Sequence, residues 1–248
     1  MPRTLKLTIQ YDGTEYVGWQ RQARGVSIQG LLEDALRPIE GAHVHVFGAG
    51  RTDAGVHALA QIASISLTVA IEPADLGRAL NAVLPADVRV VNVEEAAAGF
   101  HARFSATGKV YEYRIVNGPT MSPFVRRFAW HVSPPLDLGA MRDASVLLLG
   151  EHDFAAFKGR RAVVKSTTRT VHRIEWREGS GNDVPLVMEI EGNGFLRHMV
   201  RTIAGTLVQV GLGRWRVDQI PEILASRARS SAGTTAPASG LFLVRVLY

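Results

Sequence analysis

Apolar residues alternate with polar ones at Leu5, Leu7, Ile9 and Tyr11, which predicts a first strand ending at Asp12-Gly13. Ser27 then stands at the N-cap position of a helix. Ile28, Leu31, Leu32, Ala35, Leu36 and Ile39 form its inner stripe at i, i+3, i+4, i+7 spacing. A short apolar run, Val44 to Phe47, reads as a second strand, and Ile62, Ile65, Leu67 and Val69 as a third. A helix near 74 to 84 must stop before Pro85, and Val88 to Val93 closes the set. The first 93 residues thus predict β-α-β-β-α-β.

Glu94 to Gly108 breaks the pattern with an Ala/Gly patch followed by Phe100-His101-Ala102-Arg103-Phe104-Ser105. A domain junction belongs there, giving domains 1–104 and 105–248. The second begins with a strand, Lys109 to Val116, that sets Tyr111, Tyr113 and Ile115 on one face. Next come a long Pro-containing connection, a helix capped by Asp137, and strands near 172–177 and 185–191. A helix follows from Leu196 to Val208, stopped at Gly211, with Arg197 and Arg201 one turn apart on one face. A short helix near 218–225, an irregular Ser226 to Ser239 and an alternating Leu241 to Tyr248 end the chain. The fold class expected is α+β, two α/β halves with helices packed on mainly antiparallel sheets.

No apolar run reaches the roughly 18 residues of a membrane span, and no signal-peptide h-region follows Met1-Pro2-Arg3, so a cytoplasmic protein is expected. There is no cysteine, which excludes disulfides, thiolate metal sites and cysteine nucleophiles. Net charge is +5, and 24 of the 28 basic residues are Arg, whose planar forks suit phosphates and base edges. Two stretches concentrate them. Tyr16 to Arg24 interleaves aromatics with arginines, able either to stack bases or to fold its rings into the core. Lys158 to Arg173 carries six basic residues and no carboxylate, as a phosphate-contacting or plainly solvated loop would.

The densest chemistry is Gly48-Ala49-Gly50-Arg51-Thr52-Asp53-Ala54-Gly55-Val56-His57. Its three glycines predict a tight loop after a strand, with positive φ available. Asp53 lies among loop N–H groups beside Arg51, and both favour its ionised form. A dinucleotide fingerprint fails because Asp53 occupies the third glycine's place, and no Lys-Ser/Thr closes a Walker loop. His43 and His45, or Asp53 and His57, have spacings a metal can use, but the scattered histidines predict no metal site. A G-x-S-x-G elbow and a second isolated carboxylate are both absent. What remains is one carboxylate in a glycine-rich, arginine-bearing loop.

Gly50 to His57 resembles the signature loop of the tRNA pseudouridine synthase A (TruA) family. Other blocks follow in that family's order: Tyr11-Asp12-Gly13-Thr14 with Gly18-Trp19-Gln20, Phe100 to Phe104, Lys109-x-Tyr111-x-Tyr113, His152-Asp153-Phe154, Phe195 to Arg201 and Gly240 to Leu243. The resemblance implies a pseudouridine synthase fold, two RRM-like halves joined across a central basic cleft, and a homodimer. It implies isomerisation of uridine at positions 38, 39 and 40 of the tRNA anticodon stem-loop, with no cofactor, metal or nucleotide and no membrane partner. Asp53 becomes the catalytic aspartate, acting at the sugar, on the base or as proton acceptor. Tyr111 is the substrate-contacting tyrosine, Arg51 pairs with Asp53 or fills the vacated stack, Leu241 or Leu243 floors the pocket, and Arg103 contacts backbone. A non-catalytic RNA-binding module is the competing expectation, since it needs the arginines and aromatics but not Asp53.

Overall fold

Strand β1 (Arg3–Tyr11) buries Leu5, Leu7, Ile9 and Tyr11, the alternation read from sequence. The computed structural model to which it belongs describes residues 2–159, 164–179 and 181–248. Helix α1 (Ile28–Glu40) starts at Ser27, whose Oγ accepts the Gly30 N–H at 3.2 Å, and buries Ile28, Leu32 and Leu36. It ends at Gly41, in the left-handed region at φ 77°.

Strand β2 (Phe47–Gly48) is shorter than the expected Val44 to Phe47. The cause lies in α1. Glu33 Oε1 accepts the Val46 N–H at 3.4 Å and Gln29 Nε2 donates to the Val46 carbonyl at 3.1 Å, so helix side chains take the place of a ladder partner. Strand β3 (His57–Leu67), helix α2 (Pro73–Val83) and strand β4 (Val88–Glu95) complete the predicted order. In this unit β1 lies between β4 and β3, antiparallel to both, and β2 pairs antiparallel with β3 at Phe47↔Ser64.

The second unit is organised on β5 (Gly108–Asn117), which is buried over most of its length. The long Pro-containing connection contains β6 (Trp130–Val132), parallel to β5 with Ile115 opposite Trp130. Helix α3 (Leu138–Val146) is capped by Asp137 as expected. Strands β7 (Gly150–Asp153), β8 (Thr168–Arg177) and β9 (Leu186–Gly192) run antiparallel in the order β5-β9-β8-β7. Helix α4 (Met199–Gly211) begins three residues later than the apolar pattern suggests, because His198 at its N-cap takes φ 66°. Arg197 therefore precedes the helix, and the expectation that it shares a helix face with Arg201 is corrected. Helix α5 (Gln219–Ser226) follows, and β10 (Leu241–Leu247) closes the chain.

By compactness the chain divides into Met1–Thr107 with Phe242–Tyr248, and Gly108–Leu241. The last seven residues, read from sequence as part of a domain 105–248, thus count with the first unit. There β10 pairs in parallel with β3 through Phe242↔His57 and Leu243↔Ala58. Both units carry helices on predominantly antiparallel sheet, so the α+β class holds.

Two buried threonines on α4 differ in a way that stability can read. Thr206 Oγ1 donates to the Thr202 carbonyl at 2.8 Å and accepts the Gly233 N–H at 3.0 Å, fixing the irregular 229–236 segment against the helix. Thr202 is equally buried, but its Oγ1 has no hydrogen-bond partner. Thr206→Val, which strands the Gly233 N–H, is expected to cost about 1–3 kcal/mol in urea unfolding. Thr202→Val is expected to be neutral or stabilising, because it removes a buried hydroxyl that gains nothing where it sits.

Candidate active site

The glycine loop is held from beneath by the segment after β1. Trp19 N–H donates to the Thr52 carbonyl at 3.1 Å, and Gly18 and Asp53 form an isolated antiparallel bridge. That approach needs glycine at 18. Its φ is +104°, and a Cβ would lie 2.5 Å from the Thr52 carbonyl oxygen. Beyond Asp53 the Val56 N–H donates to the Asp53 carbonyl at 3.2 Å, closing a turn in which Gly55 has φ +76°. Of the three loop glycines, only Gly55 uses the left-handed region; at Gly48 the need is space, since a Cβ there would meet the Trp19 indole at 2.4 Å.

Side chains beneath the loop complete its support. Thr52 is buried and its Oγ1 shares a 2.8 Å hydrogen bond with the Tyr11 hydroxyl. Gln61 Nε2 donates to the Gly50 carbonyl at 2.9 Å, and the Ala49 N–H donates to the Ile62 carbonyl at 2.7 Å. His57 is 1 % exposed; its Nδ1 accepts the Gly13 N–H at 3.0 Å and lies 3.1 Å from Asp12 Oδ1, while its ring stacks on Phe242. Asp53 itself is half-buried and Arg51 exposed. The loop thus presents a carboxylate on backbone fixed at both flanks, with a cation two residues away in the sequence. Such a carboxylate can act as nucleophile or proton acceptor without the loop reorganising.

Arg103 is also in the first unit, in the turn after β4, exposed and with its guanidinium over the Phe104 ring at 5.8 Å. Leu243, on β10, has no exposed surface. In the second unit, Tyr111 on β5 is 7 % exposed and packs edge-on against Phe195 at 5.3 Å, and Leu241 is buried at the start of β10.

Several basic and aromatic residues of the two stretches that could have faced RNA are engaged by the protein itself. Tyr16 and Trp19 are core residues. Arg21 pairs with Glu33 and Asp34 at 2.8 and 2.9 Å. Arg173 sits among Glu175 of its own strand and Glu189 and Glu191 of β9, so the carboxylate-free run in sequence is neutralised at its end. Arg160 and Arg161 of that run lie outside the described residues. Arg197 instead lines a groove with Gly159, His198, Arg229, Thr234 and Thr235. Sequence reasoning singled out neither Tyr11 and Gln61 as supports of the loop nor the Asp12–His57 contact. The one signal was that Tyr11-Asp12-Gly13 closes an apolar strand. Among the described residues one group has metal-ligand geometry: Glu33, His43 and His45 offer atoms within 4.8 Å of one another, although Arg21 and Gln29 already donate to that carboxylate.

A family model described as tRNA pseudouridine synthase matches residues 7–105 and 144–248. This chain belongs to the tRNA pseudouridine synthase family. A tRNA pseudouridine synthase A from Thermoanaerobacter sp. (strain X514) is 43 % identical over 246 residues, covering 99 % of this chain and 100 % of that protein. One from Myxococcus xanthus is 47 % identical over 248 residues, covering 100 % and 92 %. Among solved structures, a chain of a Cbf5-Nop10-Gar1 complex aligns with 96 % of this chain and 48 % of its own length at 17 % identity and a TM-score of 0.37. The family assigns an isomerase acting on tRNA. No described helix is long and apolar enough to cross a membrane.

Burial beneath the synthase loop is testable through Tyr11. Removal from water pushes its hydroxyl up to about 12 from an ordinary 10, against the opposing hydrogen bond to Thr52. The folded form therefore holds a proton that the unfolded chain gives up above pH 10, and stability falls as pH rises from 10 to 12. Tyr11→Phe is expected to make that fall shallower by about 1.4 kcal/mol per pH unit, measured by urea unfolding at a series of alkaline pH values.

Proposed function

We propose that this protein converts uridine to pseudouridine at positions 38, 39 and 40 of the tRNA anticodon stem-loop, with Asp53 as the nucleophile and the target base flipped out of its stack. The observation that carries the reading is the fixing of Asp53: a half-buried carboxylate whose backbone is clamped by Gly18 before it and by the Val56 turn after it. The chemistry is an isomerisation. The C1′–N1 bond breaks, the detached uracil turns, and a C1′–C5 bond forms; C5 gives up a proton and N1 gains one. Atoms and electrons balance within the substrate, so the protein's task is to hold the reacting groups and to supply one ionised carboxylate.

Tyr111, at right angles to the Phe195 ring, is the residue on which the flipped uracil would rest, and stacking offsets part of the few kcal/mol that unstacking costs. Arg51 takes the space that the base vacates, Leu241 closes the pocket in preference to Leu243, which has no exposed surface, and Arg103 with the Arg197–Arg229 groove contacts the RNA backbone. Such contacts set affinity and register without reading sequence. The resemblance to the TruA family supports a homodimer working in the cytoplasm.

Asp53→Asn keeps the size and most of the polarity of the side chain. It is expected to lower single-turnover pseudouridine formation by roughly a thousandfold or more while the Kd for tRNA stays within about threefold. Pseudouridine mapping on tRNA transcripts checks the first and filter binding the second. Equal binding by both proteins with no pseudouridine from either would replace the catalytic reading with that of an RNA-binding module.

A further inference from the structure

Outside the catalytic loop, the first unit carries a single file of rings on its surface. His43, His45 and Phe47 point outward because Val44 and Val46 between them point into the core. Phe47 stands opposite Ser64 of β3, and Ser64 Oγ accepts the Ala102 N–H at 3.1 Å, which pins the 101–104 turn beside Phe47. The centroids follow one another at 4.6 Å from His43 to His45, 6.2 Å to Phe47, 5.0 Å to His101 and 4.4 Å to Phe104. Arg103 lies over the last ring at 5.8 Å. Phe47 is 50 % and Phe104 78 % exposed.

We propose that this file is a stacking track for unpaired bases of the tRNA substrate, continuing outward from the catalytic loop that Phe47 leads into. The inference rests on the tRNA-modifying reading above. Its first support is shape: the file is one ring wide, the width of a nucleobase, whereas a stable protein–protein contact buries roughly 800 Å² per partner in a broad patch. Its second is charge. The rings end on a guanidinium, and the three imidazoles among them supply hydrogen-bond donors that suit bases and phosphates. His101 Nδ1 accepts the N–H groups of Arg103 and Phe104 at 3.1 and 3.4 Å, so its neutral ring carries the proton on Nε2 as a donor. Large exposed phenyl rings are otherwise costly to keep in water.

Phe47→Ala and Phe104→Ala, singly and together, are compared with wild type for binding of an unmodified tRNA transcript and of a fully paired RNA duplex, by filter binding over a range of salt. Each single change is expected to weaken tRNA binding at least about fivefold. The slope of log K against log salt should be unchanged, because no phosphate contact is removed. Duplex binding should be unaffected, and Phe47→Trp with Phe104→Trp should retain tRNA binding. Sedimentation of each variant in the absence of RNA should match wild type, and thermal melts check that the fold persists. Wild-type tRNA affinity in the double alanine variant would overturn the proposal. So would an altered association state with duplex and tRNA binding falling together, which would make the file a contact between copies of this chain. Pseudouridine mapping with wild type, run alongside, reads the catalytic assignment separately: its failure leaves the binding comparison to stand or fall by itself.

Discussion

The site depends on how closely two stretches of backbone approach at Gly18 and Asp53. The Thr52 carbonyl takes the Trp19 N–H, and the room for that contact exists only because position 18 has no side chain and can hold φ +104°. Once the strands are this close, the Trp19 indole fills the space against Gly48 and is itself buried. One aromatic residue thereby becomes a wedge between the loop and the end of α1, whose Gln29 N–H donates to the Trp19 carbonyl at 2.9 Å. The carboxylate at 53 is thus positioned by the core of its own unit. On the proposed reading of Asp53 that matters, because a nucleophile on a mobile loop loses rate through misplacement, and a displacement near 1 Å can cost about a hundredfold.

Most elements were legible in the sequence because their periods are local properties. β1, α1, α2, β4 and α3 each bury one stripe, and a stripe can be counted along the chain. The differences arise where distant groups intervene. Val44 to Val46 alternates like a strand and keeps its side-chain alternation, yet Glu33 and Gln29 capture the backbone of Val46, so pairing begins only at Phe47. The apolar pattern of α4 runs back to Leu196, but His198 in the left-handed region ends the helix there, and a hydrophobic period carries no information about φ. β7 is four residues long and buries none of them, so it gives no apolar period at all.

For the site, the linear motif placed Asp53 and Arg51 in one loop, and the structure puts that loop on well-supported backbone. Charge was the less legible quantity. Arg21 and Arg173 looked available because no carboxylate neighbours them in sequence on the relevant side. Glu33 reaches Arg21 from α1, and Glu189 and Glu191 reach Arg173 from across the β8–β9 ladder. Strand register and helix placement decide which cations stay open to a polyanion, and neither can be counted in a composition. The same holds for aromatics: Trp19 and Phe104 are both flanked by basic residues in sequence, yet one is core and the other surface.

Asp12 and His57 meet beneath the loop. His57 Nδ1 is 3.0 Å from the Gly13 N–H, which requires a lone pair there, and 3.1 Å from Asp12 Oδ1, which requires a proton there. One nitrogen cannot serve both at once. Asp12 Oδ1 already receives the Thr14 N–H at 3.0 Å and the Thr14 hydroxyl at 2.5 Å, so that oxygen is satisfied without the imidazole. The Gly13 N–H, buried at the loop's base, gains a partner only if Nδ1 is bare. The ring, stacked on Phe242, closes the floor of the loop as a fixed wall.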